Sequence, residues 1–445
     1  MDNFKKIMSE TFNKEVWLDK EDKEVKVNIE GIPIMISDKG EIICLPDLRD
    51  CPVIQVTGQR GSGKTTLLHN ILDRMHKKYS GYSPQQSRQS QKMFCWLNDR
   101  QGDTLTYYKP NYIHSPDNYP RELNILNEKP RPLPMVYLYP NTRTLIYEKE
   151  IDNFKMSIPY KEILENSEDY YKLEKSGFYL KNMIKDLINL KSFNEIFAYF
   201  EALKEEKEES KSTKKESKEY ISNMLYKLST FFSYIIREKI IDINEDESIA
   251  ELEIDGIKLN PIIAFASAGA IPSVLTSDLM NKKYFHSLMR YYIEQIFSAQ
   301  EKYFKDREIW VFIDELQELC SDENTKESLN RLVSQGRPQR IATVASTINY
   351  TKIPDPIRVN AQYLFTFRHN DKREVNEIIG NWNLKESDKV KIMGLKKHQI
   401  MAVTSEYFIV YKNGKKFTSE ELGYEKIFGK SLPPLSKHKA PKEEV

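Results

Sequence analysis

Apolar positions along the chain fall into short β-branched runs separated by stretches of helical spacing, and this alternation predicts an α/β fold. The run Pro52-Val53-Ile54-Gln55-Val56-Thr57 reads as a buried strand. After Lys64 the apolar positions Leu67, Leu68, Ile71, Leu72 and Met75 share one helical face. Met93 to Leu97 predicts the next strand, ending in the polar turn Asn98 to Asp103, where α/β sheets place ligands. A solvated turn and a direct role stay equally open for that turn. Further on, Val136 to Tyr139 predicts one strand inside a proline-rich, irregular stretch. Pro261 to Ala266 predicts a strand followed by a small-residue loop, Ser267 to Ser273, and a long helix from Lys282 to Phe304. Ile309 to Ile313 is a fully apolar strand, followed by a helix near Lys326 to Gln335 and strands at Ile341 to Ser346 and Tyr363 to Arg368. Strands alternating with helices imply a mostly parallel sheet covered on both faces.

Other segments depart from that rhythm. Glu24 to Ile29 and Ile32 to Ile36, with the turn Ser37 to Glu41, read as a short hairpin leading into the first buried strand. Helical spacing dominates residues 160–240, interrupted by the charged run Lys204 to Glu219, a solvated extension or link. Ile400 to Val403 and Tyr407 to Tyr411 predict an antiparallel pair at the sheet edge, and the Lys- and Pro-rich tail from Lys430 predicts disorder. The expected organisation is a β-rich lead-in (1–50), a first core segment (51–150), an all-helical insertion (151–250), a second core segment (251–425) and a flexible tail (426–445).

Composition narrows the class. The chain has 445 residues, 40% hydrophobic and 30% charged, ordinary for a globular protein of more than one typical domain. No apolar run is long enough to span a bilayer and the N-terminus lacks a signal-peptide core, so a cytoplasmic protein is expected. The four cysteines lack Cys-x-x-Cys spacing, which argues against zinc. A net charge of +1 leaves any nucleic-acid contact to local basic patches.

Chemistry enters between the first strand and its helix. Gly58-Gln59-Arg60-Gly61-Ser62-Gly63-Lys64-Thr65 is the P-loop pattern in its strand–loop–helix context, with Thr66 following. Glycines let successive N–H groups turn inward onto phosphate oxygens, and the positive helix end faces the same anion. Lys64 is placed for the β- and γ-phosphates of ATP and the Thr65 hydroxyl for Mg²⁺. Downstream, the apolar strand ending in Asp314-Glu315 has the form of a Walker B strand. Asp314 is the expected Mg²⁺ ligand, and Glu315 is placed to polarise the attacking water. Strands lie between the two motifs in sequence, so the two motif strands are expected not to be neighbours.

Gly336-Arg337-Pro338-Gln339-Arg340 followed by Ile341 to Thr347 resembles the glycine–arginine, strand, small-residue–threonine stretch of the HerA/FtsK superfamily of DNA-pumping ATPases. The turn at Asp99 to Asp103, and Pro354 to Ala361 followed by Phe365 to Arg368, also resemble that superfamily. The resemblance implies a RecA-like core of the additional-strand, catalytic-glutamate type. Arg337 then matches an arginine supplied in trans, with Arg340 in reserve. It further implies double-stranded DNA as partner, a ring homo-oligomer such as a hexamer, and docking to a capsid or membrane partner. The family's glutamine after the threonine is replaced by Ile348, leaving Thr347 or Asn349 to sense the γ-phosphate. The expected function is an ATP-driven motor that translocates or packages duplex DNA, in the cytoplasm or, for a virus, that of the host. The alternatives are a nucleotide-dependent assembly switch and a helicase-like ATPase on single strands. The loop Ser267 to Lys283, ending in Lys282-Lys283, is the candidate for gripping DNA, with a plain strand–helix connection equally open.

Overall fold

The computed structural model describes residues 29–48, 51–80, 92–99, 133–140, 153–156, 158–159, 251–254, 256–276 and 282–435, with scattered positions between 195 and 242. The chain divides into two compact units, one formed by Met1–Tyr137 with Glu253–Val445 and the other by Leu138–Leu252.

The first unit begins with a hairpin, β1 (Ile32–Ser37) and β2 (Ile42–Leu45), followed by β3 (Val53–Thr57), helix α1 (Lys64–Ser80), β4 (Lys92–Asp99) and β5 (Met135–Pro140). The second unit contains β6 (Asn153–Met156) and a short parallel pair, β7 (Ile158–Pro159) with β8 (Ile241–Asp242). The described part of the expected all-helical insertion therefore includes strands, and most of that insertion lies outside the described residues. The chain returns through β9 (Leu252–Ile254), β10 (Ile257–Leu259), α2 (Pro261–Ser267), β11 (Ile271–Leu275), α3 (Lys282–Tyr303) and β12 (Glu308–Ile313). Next come α4 (Leu316–Leu319), α5 (Glu323–Gln335), β13 (Ile341–Thr347), α6 (Asp355–Val359), β14 (Ala361–Thr366), α7 (Lys372–Asn381) and α8 (Glu386–Gly394). Four strands finish the unit: β15 (Gln399–Thr404), β16 (Ile409–Lys412), β17 (Lys415–Thr418) and β18 (Ile427–Ser431).

The sheet of this unit runs β17-β16-β2-β1-β18-β15-β14-β3-β13-β12-β4-β11-β5. Its central strands are parallel from β14 through β3, β13, β12 and β4 to β11. The two motif strands, β3 and β12, are separated by β13, as the additional-strand type requires. Registers bring Thr366, Thr57 and Thr347 level, and Ile313 level with Ala345 and Leu97, so these carboxyl ends form one edge. Burial explains the apolar runs, since every residue of β3, β12 and β13 is buried. The face of α1 carrying Leu67, Leu68, Ile71, Leu72 and Met75 is fully buried. Among the described residues no helix is long and apolar enough to cross a membrane.

Several expectations are corrected. Pro261 to Ala266 is helix α2, not a strand, and β11 follows it. The Asn260 side chain caps the Ile263 N–H at 3.0 Å with Pro261 in the first turn, a start signal that outweighs β-branched composition in a short buried run. The candidate DNA loop Ser267 to Lys283 is accordingly split: Ile271 to Leu275 are buried in β11, and Lys282 and Lys283 open α3. The hairpin pairs β1 with β2, across the expected turn, and β1 also pairs with β18; residues 24–28 lie outside the described residues. β15 and β16 do not pair with each other. β15 lies between β14 and β18, whereas β16 lies between β2 and β17. Lys430 belongs to β18, and Leu432 and Leu435 beyond it are buried; residues 436–445 lie outside the described residues. Asn98 and Asp99 end β4, while the rest of the turn to Asp103 also falls outside.

Candidate active site

Residues Gly58 to Gly63 connect β3 to α1, with Lys64, Thr65 and Thr66 in the first turn of the helix. Gly63 has φ 118°, and a Cβ there would lie 2.6 Å from the His398 ring, so only glycine fits this turn. The loop is held from outside: the Gln59 N–H donates to the Arg368 carbonyl at 2.9 Å, and the Ser62 carbonyl accepts from the His398 N–H at 2.9 Å. Lys64 folds back so that Nζ donates to the Gln59 carbonyl at 3.2 Å. Ser62 Oγ is buried with no hydrogen-bond partner among the described residues, as a group waiting for a phosphate oxygen would be. Arg60 is exposed. At the floor of the loop, His369 Nε2 lies 3.0 Å from Thr57 Oγ1. Burial, then the nearby Lys64 charge, lowers the His369 pKa to about 4, so its imidazole is neutral near pH 7.

Asp314 leaves the end of β12 and meets the P-loop helix directly: Thr65 Oγ1 donates to Asp314 Oδ2 at 2.9 Å. Ser346 Oγ, at the end of β13, donates to the other carboxylate oxygen. The Asp314 carbonyl accepts from Asn98 Nδ2 at 2.8 Å, and Asn98 Oδ1 accepts from Thr276 Oγ1 at 2.8 Å, so the strands on either side fix this turn. A hydroxyl and a carboxylate are hard oxygen donors, and Mg²⁺ commonly takes only one or two protein ligands beside phosphate and water. Thr65 and Asp314 fit that ion. Among the described residues there is no cluster of three or more His, Cys, Asp or Glu that could hold a metal.

Glu315 follows in the left-handed region, φ 53° and ψ 50°, uncommon for a residue with a side chain and the sort of local strain that collects at functional sites. Its N–H donates to Asp314 Oδ1 at 3.1 Å and to Ser346 Oγ at 3.3 Å. Burial pushes its carboxyl above the usual range, opposed by a hydrogen bond from Gln317 and by the Lys64 charge. Burial in turn pulls the Lys64 ammonium below its ordinary value, while Glu315 and Asp314 favour its charged form. The site thus combines a buried cation, a metal-type oxygen pair and a half-buried carboxylate able to take a proton.

Thr347 sits at the end of β13, opposite Thr57, and its carbonyl accepts from the Gly58 N–H at 3.2 Å. Its hydroxyl donates to Gln317 Oε1 at 2.8 Å rather than facing the loop unaided. Neither Gln317 nor Ser346 is marked by a motif of its own, though Ser346 falls in the small-residue–threonine stretch. Gln317 lies two residues after the Asp-Glu pair, and Ser346 precedes the threonine, which are the only local signals for either.

Arg337 is elsewhere. It lies in the connection between α5 and β13, at the amino end of the parallel strands, and is exposed. With about 3.3 Å of rise per residue, the length of β13 puts it roughly 20 Å from its own P-loop. Gly336 is needed for this tight connection, because a Cβ there would meet the Leu332 carbonyl at 2.1 Å. Arg340 has φ 57° and its guanidinium reaches the buried Glu308 at 3.4 Å, in the cluster that also holds Lys92. The reserve arginine is therefore tied to Glu308 of the same chain.

Among solved structures, VirB4 of Thermoanaerobacter pseudethanolicus is similar over 94% of this chain and 100% of its own, at 12% identity and a TM-score of 0.47. The bacterial conjugative coupling protein TrwBdeltaN70 is similar over 93% of this chain and 90% of its own, at 13% identity and a TM-score of 0.48. B204, the DNA-packaging ATPase from Sulfolobus Turreted Icosahedral Virus, is similar over 32% of this chain and 66% of its own, at 15% identity and a TM-score of 0.24. No curated protein matches the sequence. A family model described as "KAP family P-loop domain" matches residues 35–393, a span that takes in the P-loop, the Asp314-Glu315 pair and Thr347. With its β3–α1 loop, its acidic strand end and this match agreeing, the chain belongs to the KAP family of nucleotide-binding P-loop NTPase domains.

Proposed function

We propose that the protein is an ATP-hydrolysing motor that translocates or packages double-stranded DNA. It works as a ring of identical subunits, a hexamer, in which Arg337 of each subunit completes its neighbour's site. The observation that carries the hydrolytic part is the gathering of Lys64, Thr65, Asp314 and Glu315 at one sheet edge, with Thr65 Oγ1 at 2.9 Å from Asp314. Lys64 and the N–H groups of the loop hold the phosphates of ATP. Glu315 accepts the proton of the attacking water as that water approaches the γ-phosphoryl group. Thr65 and Asp314 hold Mg²⁺, which when bound neutralises charge on the phosphates. Thr347, beside the P-loop, carries the γ-phosphate contact that the family's glutamine otherwise makes.

The motor part rests on the stretch Gly336 to Thr347 and its likeness to DNA-pumping ATPases. A hydrolytic cycle at one end of β13 and an arginine at the other suit a site shared around a ring. The working place is the cytoplasm, or that of the host for a viral protein, with docking to a capsid or membrane partner. Residues 151–250 form the insertion into the ATPase core, with 1–50 a lead-in.

Steady-state ATP turnover with duplex, single-stranded or no DNA tests this reading. Duplex DNA is expected to raise turnover above the basal rate. The duplex concentration for half-stimulation is expected to rise about tenfold or more from about 50 to 200 mM salt, as even two or three phosphate contacts require. Turnover indifferent to any DNA contradicts the motor and favours an assembly switch. Stimulation by single strands alone favours the helicase-like alternative.

A further inference from the structure

We infer that Gln317 is a positioning residue that couples the P-loop, through the end of β13, to the catalytic carboxylate Glu315. The inference rests on the reading of Glu315 as the general base.

The Gln317 side chain is buried, and both ends of its amide are committed to this site. Its Nε2 donates to Glu315 Oε2. Its Oε1 accepts from the Thr347 hydroxyl at 2.8 Å and from the Ile348 N–H at 3.1 Å. The Thr347 carbonyl in turn accepts from the N–H of Gly58, the first glycine of the P-loop, at 3.2 Å. A continuous path therefore runs Gly58, Thr347, Gln317, Glu315, crossing from the phosphate loop to the acidic strand over the intervening strand.

The chemistry of the path favours positioning over packing. Each lone pair of Oε1 is used to grip β13, which fixes the amide plane and so aims Nε2 at Glu315. A carboxylate on a residue in the left-handed conformation, between Lys64 and Asp314, has other places to go, and the amide selects one of them. Nucleotide seated in the loop acts on the Gly58 to Ser62 backbone. A shift there reaches the end of β13 through the Gly58–Thr347 bond and moves the amide that holds the base. Gln317 also stands in space beside Thr347, where the residue following the threonine in sequence is the apolar Ile348. In this chain the glutamine next to that threonine comes from α4, the short helix after the acidic strand.

Two substitutions separate the positioning role from a structural one. Gln317→Glu keeps an acceptor for Thr347 and Ile348 and sets a like charge against Glu315 in place of the donor. Gln317→Met keeps the volume and removes both arms. For Gln317→Glu, kcat is expected to fall about tenfold or more with KM within about twofold, the pattern of an interaction made only in the transition state. Binding of a fluorescent ATP analogue and Tm stay near wild type. For Gln317→Met, with both arms gone, kcat is expected to fall by a similar factor while binding of the analogue is kept. Gln317→Glu, or a folded Gln317→Met, with wild-type kcat overturns the inference. If Gln317→Met does not fold, Gln317→Glu decides alone. Glu315→Gln, measured alongside, tells the two failures apart. An active Glu315→Gln removes the base reading and this inference together. An inactive Glu315→Gln beside an unimpaired Gln317→Glu removes only the inference.

Discussion

Glu315→Gln is expected to bind ATP as the wild type does and to turn it over about 100-fold or more slowly, the usual range for loss of a general base. The amide is nearly isosteric and keeps the neighbourhood of Gln317 and Lys64 filled, but it cannot accept the water's proton. Lys64→Ala is expected to fail earlier, at binding. Its ammonium is buried beside the loop, and a charge-assisted hydrogen bond to phosphate is worth about 1.5–3 kcal/mol, so affinity falls roughly 10- to 100-fold. Equilibrium binding of a fluorescent ATP analogue together with phosphate release separates the two. Full turnover by Glu315→Gln means that another group is the base.

Mixing two inactive variants is expected to restore activity. Arg337 is exposed and about 20 Å from its own P-loop, too far for any rotamer to serve that site. An arginine completing the charge on the transferring phosphoryl group is worth about a thousandfold or more in kcat. Arg337→Ala alone should therefore lose nearly all turnover while still binding ATP. Arg337→Ala subunits keep an intact P-loop and Glu315, and Glu315→Gln subunits keep an intact Arg337. In a random 1:1 mixture about a quarter of the interfaces of a closed ring pair the two good halves, so a corresponding part of the wild-type rate returns. Turnover per subunit of the wild type should also rise with protein concentration. A fully active Arg337→Ala, or a dilute monomer at full rate, contradicts the shared site.

The parts of the site legible in the sequence are those whose chemistry is local. A phosphate loop needs its glycines, lysine and threonine in one run, and the acidic strand needs its apolar stretch and carboxylates in another, so Gly58 to Thr65 and Asp314-Glu315 read directly. The face of α1 and the buried strands β3, β12 and β13 read from periodicity because burial on one or both faces imposes it. What stayed hidden depends on pairing across the fold. Gln317 and Ser346 acquire their roles only when β12 and β13 become neighbours, and a lone glutamine or serine carries no mark of that. β15 and β16 alternate as an edge pair would, yet their partners are β14, β18, β2 and β17, chosen by long-range registry. The seven residues of α2 are short, apolar and fully enclosed in their first six positions, which removes the polar face that distinguishes a helix from a strand. Its one local mark is the Asn260-Pro261 start.

The motor claim is tested most directly by displacement of a labelled third strand from a triplex on linear duplex DNA. The wild type is expected to release the third strand with ATP and not with a non-hydrolysable analogue, and Glu315→Gln to bind the duplex without releasing it. Hydrolysis that proceeds on the same DNA while the third strand stays in place contradicts translocation.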